Sequence, residues 1–130
     1  MPGEIDLQKL LQTMKPQLNE GEFVFCILDS LKSAIALDPL CTFQEKEGVT
    51  VIISKGQADN ARLSYSVVCA WITLTVHSSL EAVGLTAAVS KALTDANISC
   101  NIVAAYYHDH IFVPVRDAEN AMNTLNKLTA

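Results

Sequence analysis

Apolar and polar residues along this chain alternate with two periods. From Leu7 the apolar positions are Leu7, Leu10, Leu11 and Met14, one face of a helix at 3.6-residue spacing. Asp6 stands where it can cap that helix, and Pro16 with Asn19-Glu20-Gly21 ends it. Glu22 to Leu28 is a continuous apolar run of β-forming residues, the pattern of a strand buried on both faces. Asp29 to Asp38 is ambiguous in its pattern, and SLKSAIAL within it can form a short helix that stops before Pro39. Leu40–Glu45 and Val49–Ser54 read as a hairpin with Gly48 at a positive-φ position. Gln57–Leu63 reads as a weak helix, and the seam between two halves falls near residues 65 and 66.

The second half is more regular. Val68–Val76 alternates, with Ile72, Leu74 and Val76 on one face and Trp71, Thr73 and Thr75 on the other. Ser78, with Glu81 three residues on, has the spacing of a capping box. The helix that follows buries Leu85, Val89, Ala92, Leu93 and Ala96, and Asn97 suits a left-handed residue just past its end. Ile98–Tyr107 and Ile111–Val115 read as strands around a His-Asp-His turn. Asp117 is expected to cap a last helix with Ala118, Ala121, Met122, Leu125 and Leu128 inward.

The order from Val68 onward is strand, helix, strand, strand, helix, which is a ferredoxin-like unit without its final strand. An unfilled sheet edge invites misassociation, so a strand from the first half should fill it, and Phe23–Leu28 is the expected one. The predicted fold class is α+β: two ferredoxin-like halves, residues 1–65 and 66–130, with antiparallel sheets and strand sharing.

Composition narrows the function. Half of the 130 residues are hydrophobic, enough for a core. The net charge of −5 is spread over the chain, with nine acids and six bases in residues 1–65 and five and three in 66–130. No basic face exists to neutralise phosphates, so nucleic acid is not an expected partner. No stretch of about 18 apolar residues is present, and the N-terminus lacks a signal-peptide pattern, so a cytoplasmic protein without membrane partners is expected. Cys26, Cys41, Cys69 and Cys100 show no CxxC spacing and read as reduced thiols.

Candidate chemistry gathers in residues 77–110. Gly84 in a first helical turn costs about 1 kcal/mol relative to alanine. Either tight packing or the approach of an anion to free helix amides would account for it. His77, Ser78 and Ser79 sit at the strand-to-helix corner. The side chains of His108-Asp109-His110 splay apart in a tight turn and do not make the three or four converging ligands of a metal site, so no metal or cofactor is expected. Asp109 at that turn can hold an ammonium group. Tyr106 and Tyr107 fall on opposite faces of their strand. No catalytic constellation is present.

These residues carry a resemblance. SSLEAVGLTAAVSKALTDANIS resembles the strand–loop–helix of the ACT domain, a small-molecule-binding regulatory module. FQEKEGVTVI at 43–52, VHSSLEAVGLTAAVSKAL at 76–93 and ISCNIVAAYYHDHIFVPV at 98–115 resemble small bacterial stand-alone proteins with two tandem ACT-like halves. That group is related to aspartokinase-type regulatory domains and cytosolic arginine sensors. The resemblance implies a non-catalytic regulatory protein that binds a small ligand, an amino acid, between ACT units of a homodimer or higher homo-oligomer. The amides of Val83, Gly84, Leu85 and Thr86 would meet it, Ile98 and Asn101 would line it, and an aromatic-x-x-Asp turn, here Tyr106 and Asp109, would hold its amine. His108 and His110 depart from the arginine sensors. Two other readings remain open: a protein-interaction module without ligand, and a small enzyme using a pair such as His77 and Asp109.

Overall fold

A computed structural model of the chain describes residues 6–75 and 83–129. The chain divides into two compact units. One comprises residues 1–20 and 70–130, and the other comprises 21–69, inserted into it. Each is a mixed α/β, ferredoxin-like body with an antiparallel sheet.

The larger unit begins with α1 (Leu7–Thr13), whose Asp6 carboxylate accepts hydrogen bonds from the Gln8 and Lys9 amides at 3.0 and 3.3 Å. Next comes β1 (Lys15–Leu18). The unit resumes in β5 (Cys69–Thr75), followed by α4 (Leu85–Asp95), β6 (Asn101–Ala104), β7 (Asp109–Pro114) and α5 (Ala118–Leu128). Strand order is β1-β5-β7-β6. Ile72 and Leu74 of β5 and Ile111 and Val113 of β7 turn to one face, where they meet Leu10 and Met14, Leu85, Val89 and Leu93, and Ala121 and Leu125 from the helices. All are at most 4 % exposed.

The smaller unit runs β2 (Phe23–Leu28), α2 (Leu31–Ile35), β3 (Cys41–Gln44), β4 (Val49–Ser54) and α3 (Lys55–Asn60). Its strand order is β3-β4-β2. Ser30 caps α2, and Ser54 with Gln57 closes a capping box on α3. Val24, Cys26, Val49, Val51 and Ile53 pack against Ala34 and Ala58 of its helices. Gly48 takes a φ of +153° in the β3–β4 turn, and a Cβ there would lie 2.7 Å from the Leu28 carbonyl oxygen.

Several expectations are corrected. The strand laid along β5 is Lys15–Leu18, paired antiparallel with Lys15 opposite Thr75 and Leu18 opposite Ile72. Phe23–Leu28 pairs along its whole length with β4 and touches β5 only at Phe23 opposite Cys69. Proline hides this short strand in the sequence, yet Pro16 is tolerated because β1 pairs on one side only. Nor is β2 buried on both faces, since Ile27 is 55 % exposed. Asp117 makes no side-chain cap, because a 3₁₀ turn, Val115–Asp117, leads directly into α5. Ala96 is exposed at the end of α4, while Asn97 does adopt the left-handed conformation, φ +61°.

Candidate functional site

In the larger unit, antiparallel order brings the end of β5, the start of α4, the end of β6 and the start of β7 to one end of the sheet. Of the expected site residues, Val83, Gly84, Leu85, Thr86, Tyr106 and Asp109 belong to this end. Gly84 is the residue that precedes α4, not one inside its first turn. Its φ of +100° is a left-handed value that favours glycine. A Cβ would also lie 3.1 Å from the Leu7 side chain. The packing explanation of this glycine therefore has a definite neighbour. Among the described residues no side chain caps the helix, and no acid stands in the first turn of α4. The first amides of a helix lack intrahelical acceptors, and with the helix dipole they favour an anion. Val83 is 83 % exposed before them, Leu85 is buried in the core, and Thr86 is exposed. His77, Ser78 and Ser79, and the Ser78–Glu81 capping pair, lie outside the described residues.

Asp109 occupies a different place from the one expected. The turn is Ala105–His108, closed by the Ala105 amide donating to the His108 carbonyl at 3.0 Å. The strands around it are shorter than expected on the first side and longer on the second, with Ala104 opposite Asp109. Asp109 is thus the first residue of an interior strand and only 8 % exposed, on the helix-covered face with Ile111 and Val113. Burial pushes its carboxyl above the usual carboxylate range, and the nearby imidazoles of His110 and His108 pull it partly back. No hydrogen bond or ion pair joins that carboxyl to another described residue. Tyr106 and Tyr107 sit in the turn, 73 % and 63 % exposed, with ring centroids 5.0 Å apart edge to face. Neither is a core residue of this unit.

Ile98 and Asn101 are separated from this group. Both lie past the far end of α4, which is 11 residues or about 16 Å long. Ile98 is 5 % exposed, and its amide bonds the Leu93 carbonyl at 2.9 Å. It borders a cleft of about 480 Å³ with Ser90, Thr94, Cys100 and Arg116. Within one unit, therefore, the ligand residues implied by the resemblance form two groups at opposite ends.

The opposite face of the same sheet carries a polar network that sequence reasoning missed. The Trp71 indole N–H donates to His110 Nδ1 at 3.0 Å, and the Thr73 hydroxyl lies 3.2 Å from the same nitrogen. Asn19 Nδ2 donates to Thr73 Oγ1 at 2.9 Å and to the Trp71 carbonyl at 3.3 Å. An indole nitrogen can only donate, so Nδ1 of His110 is the acceptor and the ring proton sits on Nε2. Burial, with His108 adding to it, lowers the His110 pKa. The alternation of Trp71 and Thr73 was the available signal, but their partner on β7 is set by strand pairing. No group of three or more metal-ligating side chains is present among the described residues.

Comparison with known proteins agrees with this architecture. One family model, described as ACT domain, matches residues 2–70, and a second of the same description matches residues 66–127. A Vibrio cholerae crystal structure, described as a protein of unknown function and possible transport protein, is 44 % identical. The match covers 95 % of this chain and 96 % of that one, with a TM-score of 0.88. The regulatory subunit of aspartate kinase from Thermus flavus has a TM-score of 0.64 at 11 % identity, over 88 % of this chain and 97 % of that one. Aspartate kinase from Clostridium acetobutylicum has a TM-score of 0.70 at 12 % identity, covering 98 % of this chain and 36 % of that enzyme. At such identities these two share the fold alone. A search of curated proteins found no match.

Proposed function

We propose that this chain, which belongs to the ACT domain family, is a non-catalytic regulatory protein that binds an amino acid at an interface between ACT units. Tandem ACT domains are typically regulatory ligand-binding modules. We read residues 1–65 and 66–130 as the two ACT-like halves, with the first twenty residues lent to the C-terminal one. The observation that carries the reading is the pairing of chemistries at one end of the larger unit. The start of α4, which no side chain among the described residues caps, suits a carboxylate, and the buried Asp109 suits an ammonium group. An ammonium beside Asp109 would restore the charge that burial disfavours.

The site is completed in a homodimer or higher homo-oligomer. Val83–Thr86, Tyr106 and Asp109 of one copy would meet Ile98 and Asn101 of another, which accounts for their separation within one unit. His77, Ser78 and Ser79 belong to the same proposal. The ligand acts by favouring one arrangement of the units through its own differential affinity. Four free cysteines support a reducing, cytoplasmic setting. No described helix is long and apolar enough to cross a membrane.

A thermal-shift screen against the twenty amino acids tests this. One amino acid should raise the melting temperature in a dose-dependent way, and Asp109→Asn should abolish the shift. A flat screen, or a shift that survives in the variant, removes the reading. Gly84 is the poorer test, because its substitution disturbs the Leu7 contact as well as the helix start.

A second reading, a protein-interaction module, has its own support. The smaller unit exposes Ile27 and Phe43, which flank Thr50 on the helix-free face of its sheet.

A further inference from the structure

The second hairpins of the two units can be laid on one another residue by residue. In the smaller, the Glu45 amide donates to the Gly48 carbonyl at 2.8 Å, and the ladder opens with Gln44 opposite Val49. In the larger, the Ala105 amide donates to the His108 carbonyl at 3.0 Å, and the ladder opens with Ala104 opposite Asp109. Each turn leads into a strand of six residues. Val49 and Asp109 therefore hold the same place, at the head of that strand and on its helix-covered face. Val51 and Ile53 follow Val49 into one core as Ile111 and Val113 follow Asp109 into the other. Exposure agrees, at 6 % for Val49 and 8 % for Asp109. The fold accepts valine at this place, so packing does not ask for an acid there. A buried carboxyl that no described residue pairs is disfavoured against an apolar side chain. A residue that breaks the local rule with no gain to packing marks a functional position.

The helices before the hairpins differ in the same sense. The Ser33 amide at the start of α2 donates to the Ser30 hydroxyl at 3.2 Å, and α2 is only five residues long. α4 has 11 residues, and no side chain among the described residues caps it. The turns differ too. A Cβ on Gly48 would lie 2.7 Å from the Leu28 carbonyl oxygen and 3.0 Å from the Ile27 side chain, so this turn lies directly on the end of β2. His108, at the same place in the larger unit, carries a full side chain. We infer that each chain has one amino-acid site, in the larger unit, and that the smaller unit is a copy of the same plan closed to that ligand. The inference rests on the function proposed above, and adds which half acts and how many ligands a chain holds. In the larger unit the amine meets Asp109 and the carboxylate meets the start of α4. In the smaller, the amine would meet Val49, which offers it no charge, and the carboxylate would meet an amide already bonded to Ser30. An ammonium group desolvated against valine has nothing to replace its water. The residue at the head of the second hairpin strand thus decides which half binds.

Equilibrium dialysis of the full chain against an equimolar mixture of the twenty amino acids tests this. Amino-acid analysis of both compartments gives the moles of each retained per mole of chain. As the mixture is made more concentrated, one amino acid should reach a plateau at one per chain. Asp109→Asn should abolish that retention, and Val49→Ala should leave the plateau where it is. A plateau at two per chain, with one ligand surviving in Asp109→Asn, would overturn the inference and keep the site in the larger unit. Retention that Asp109→Asn leaves intact at one per chain, or no retention at all, would overturn the proposed function and the inference with it. Changing each residue into the other tests the equivalence without ligand. Asp109→Val should melt above the parent at neutral pH, and Val49→Asp should melt below it or fail to fold. A parent-like Val49→Asp, or a lower-melting Asp109→Val, would overturn the inference, because the fold would then ask different things of the two places.

Discussion

The two units are built on one plan and differ in how far each completes it. Among the described residues the larger has two 11-residue helices, a four-strand sheet and a core of thirteen buried residues. The smaller has helices of five and six residues, three strands and a core of seven. It exposes Ile27 at 55 %, Ile35 at 60 % and Phe43 at 68 %. One source of the difference is the loan of α1 and β1. They bring Leu10 and Met14 into the larger core and fill its strand position. The same fold thus gives the larger unit a strand laid along β5 over four residue pairs, whereas the pairing described between β2 and β5 is at Phe23 opposite Cys69.

The largest effect should separate the cores. Leu93→Ala removes a fully buried side chain from the larger unit and should cost about 3 kcal/mol in denaturant unfolding. Ile27→Ala, on the exposed face of the smaller, should stay within about 0.5 kcal/mol. Equal costs would break the contrast. Next comes Gly84→Ala, expected to cost about 1–2 kcal/mol for the left-handed backbone. Leu7→Ala in the same molecule should recover part of it if the 3.1 Å approach matters, and strict additivity would deny that role.

Asp109→Asn sharpens the functional side of the comparison. The folded carboxyl is held above its unfolded value, so the folded state binds more protons as pH rises from about 4. Native stability due to this group therefore falls with rising pH and stays lower above the raised pKa. The variant should melt higher than the parent at neutral pH without ligand, while losing the ligand-induced shift. A lower melting point would mean that Asp109 is a structural anchor. The smallest effect concerns His110, whose folded pKa is depressed. Its stabilising contribution is present above about pH 6.5 and is lost as pH falls through the folded value. Trp71 is the only tryptophan, so its fluorescence should report the loss of the His110 bond. His110→Gln should flatten both the signal and the pH dependence.

Much of this was legible along the chain because it depends on local chemistry. Asp6 caps α1, Asn97 ends α4 in the left-handed conformation, and Ile72, Leu74, Val89, Leu93 and Leu125 are buried as their periods require. The order of elements was enough to recognise two ferredoxin-like halves and a missing strand. Side-chain alternation also separated Trp71 and Thr73 from the core face. In each case the deciding neighbours lie within a few residues in sequence.

What failed depends on partners that sequence distance conceals. KPQL has a proline and no clear alternation, and it becomes a strand because β5 offers it an edge more than fifty residues away. Phe23–Leu28 looked like the missing strand because it is strongly β-forming, but β4 takes its hydrogen bonds. Asp109 read as a turn residue between histidines. The ladder that sets Ala104 opposite Asp109 moves the turn to Ala105–His108 and buries the carboxyl. The sequence by itself determined which segments fold and which faces they bury, because periodicity and capping are local. Tertiary structure alone decided which strand completes which sheet and which acid is buried, because backbone hydrogen bonds can be claimed by only one neighbour on each side.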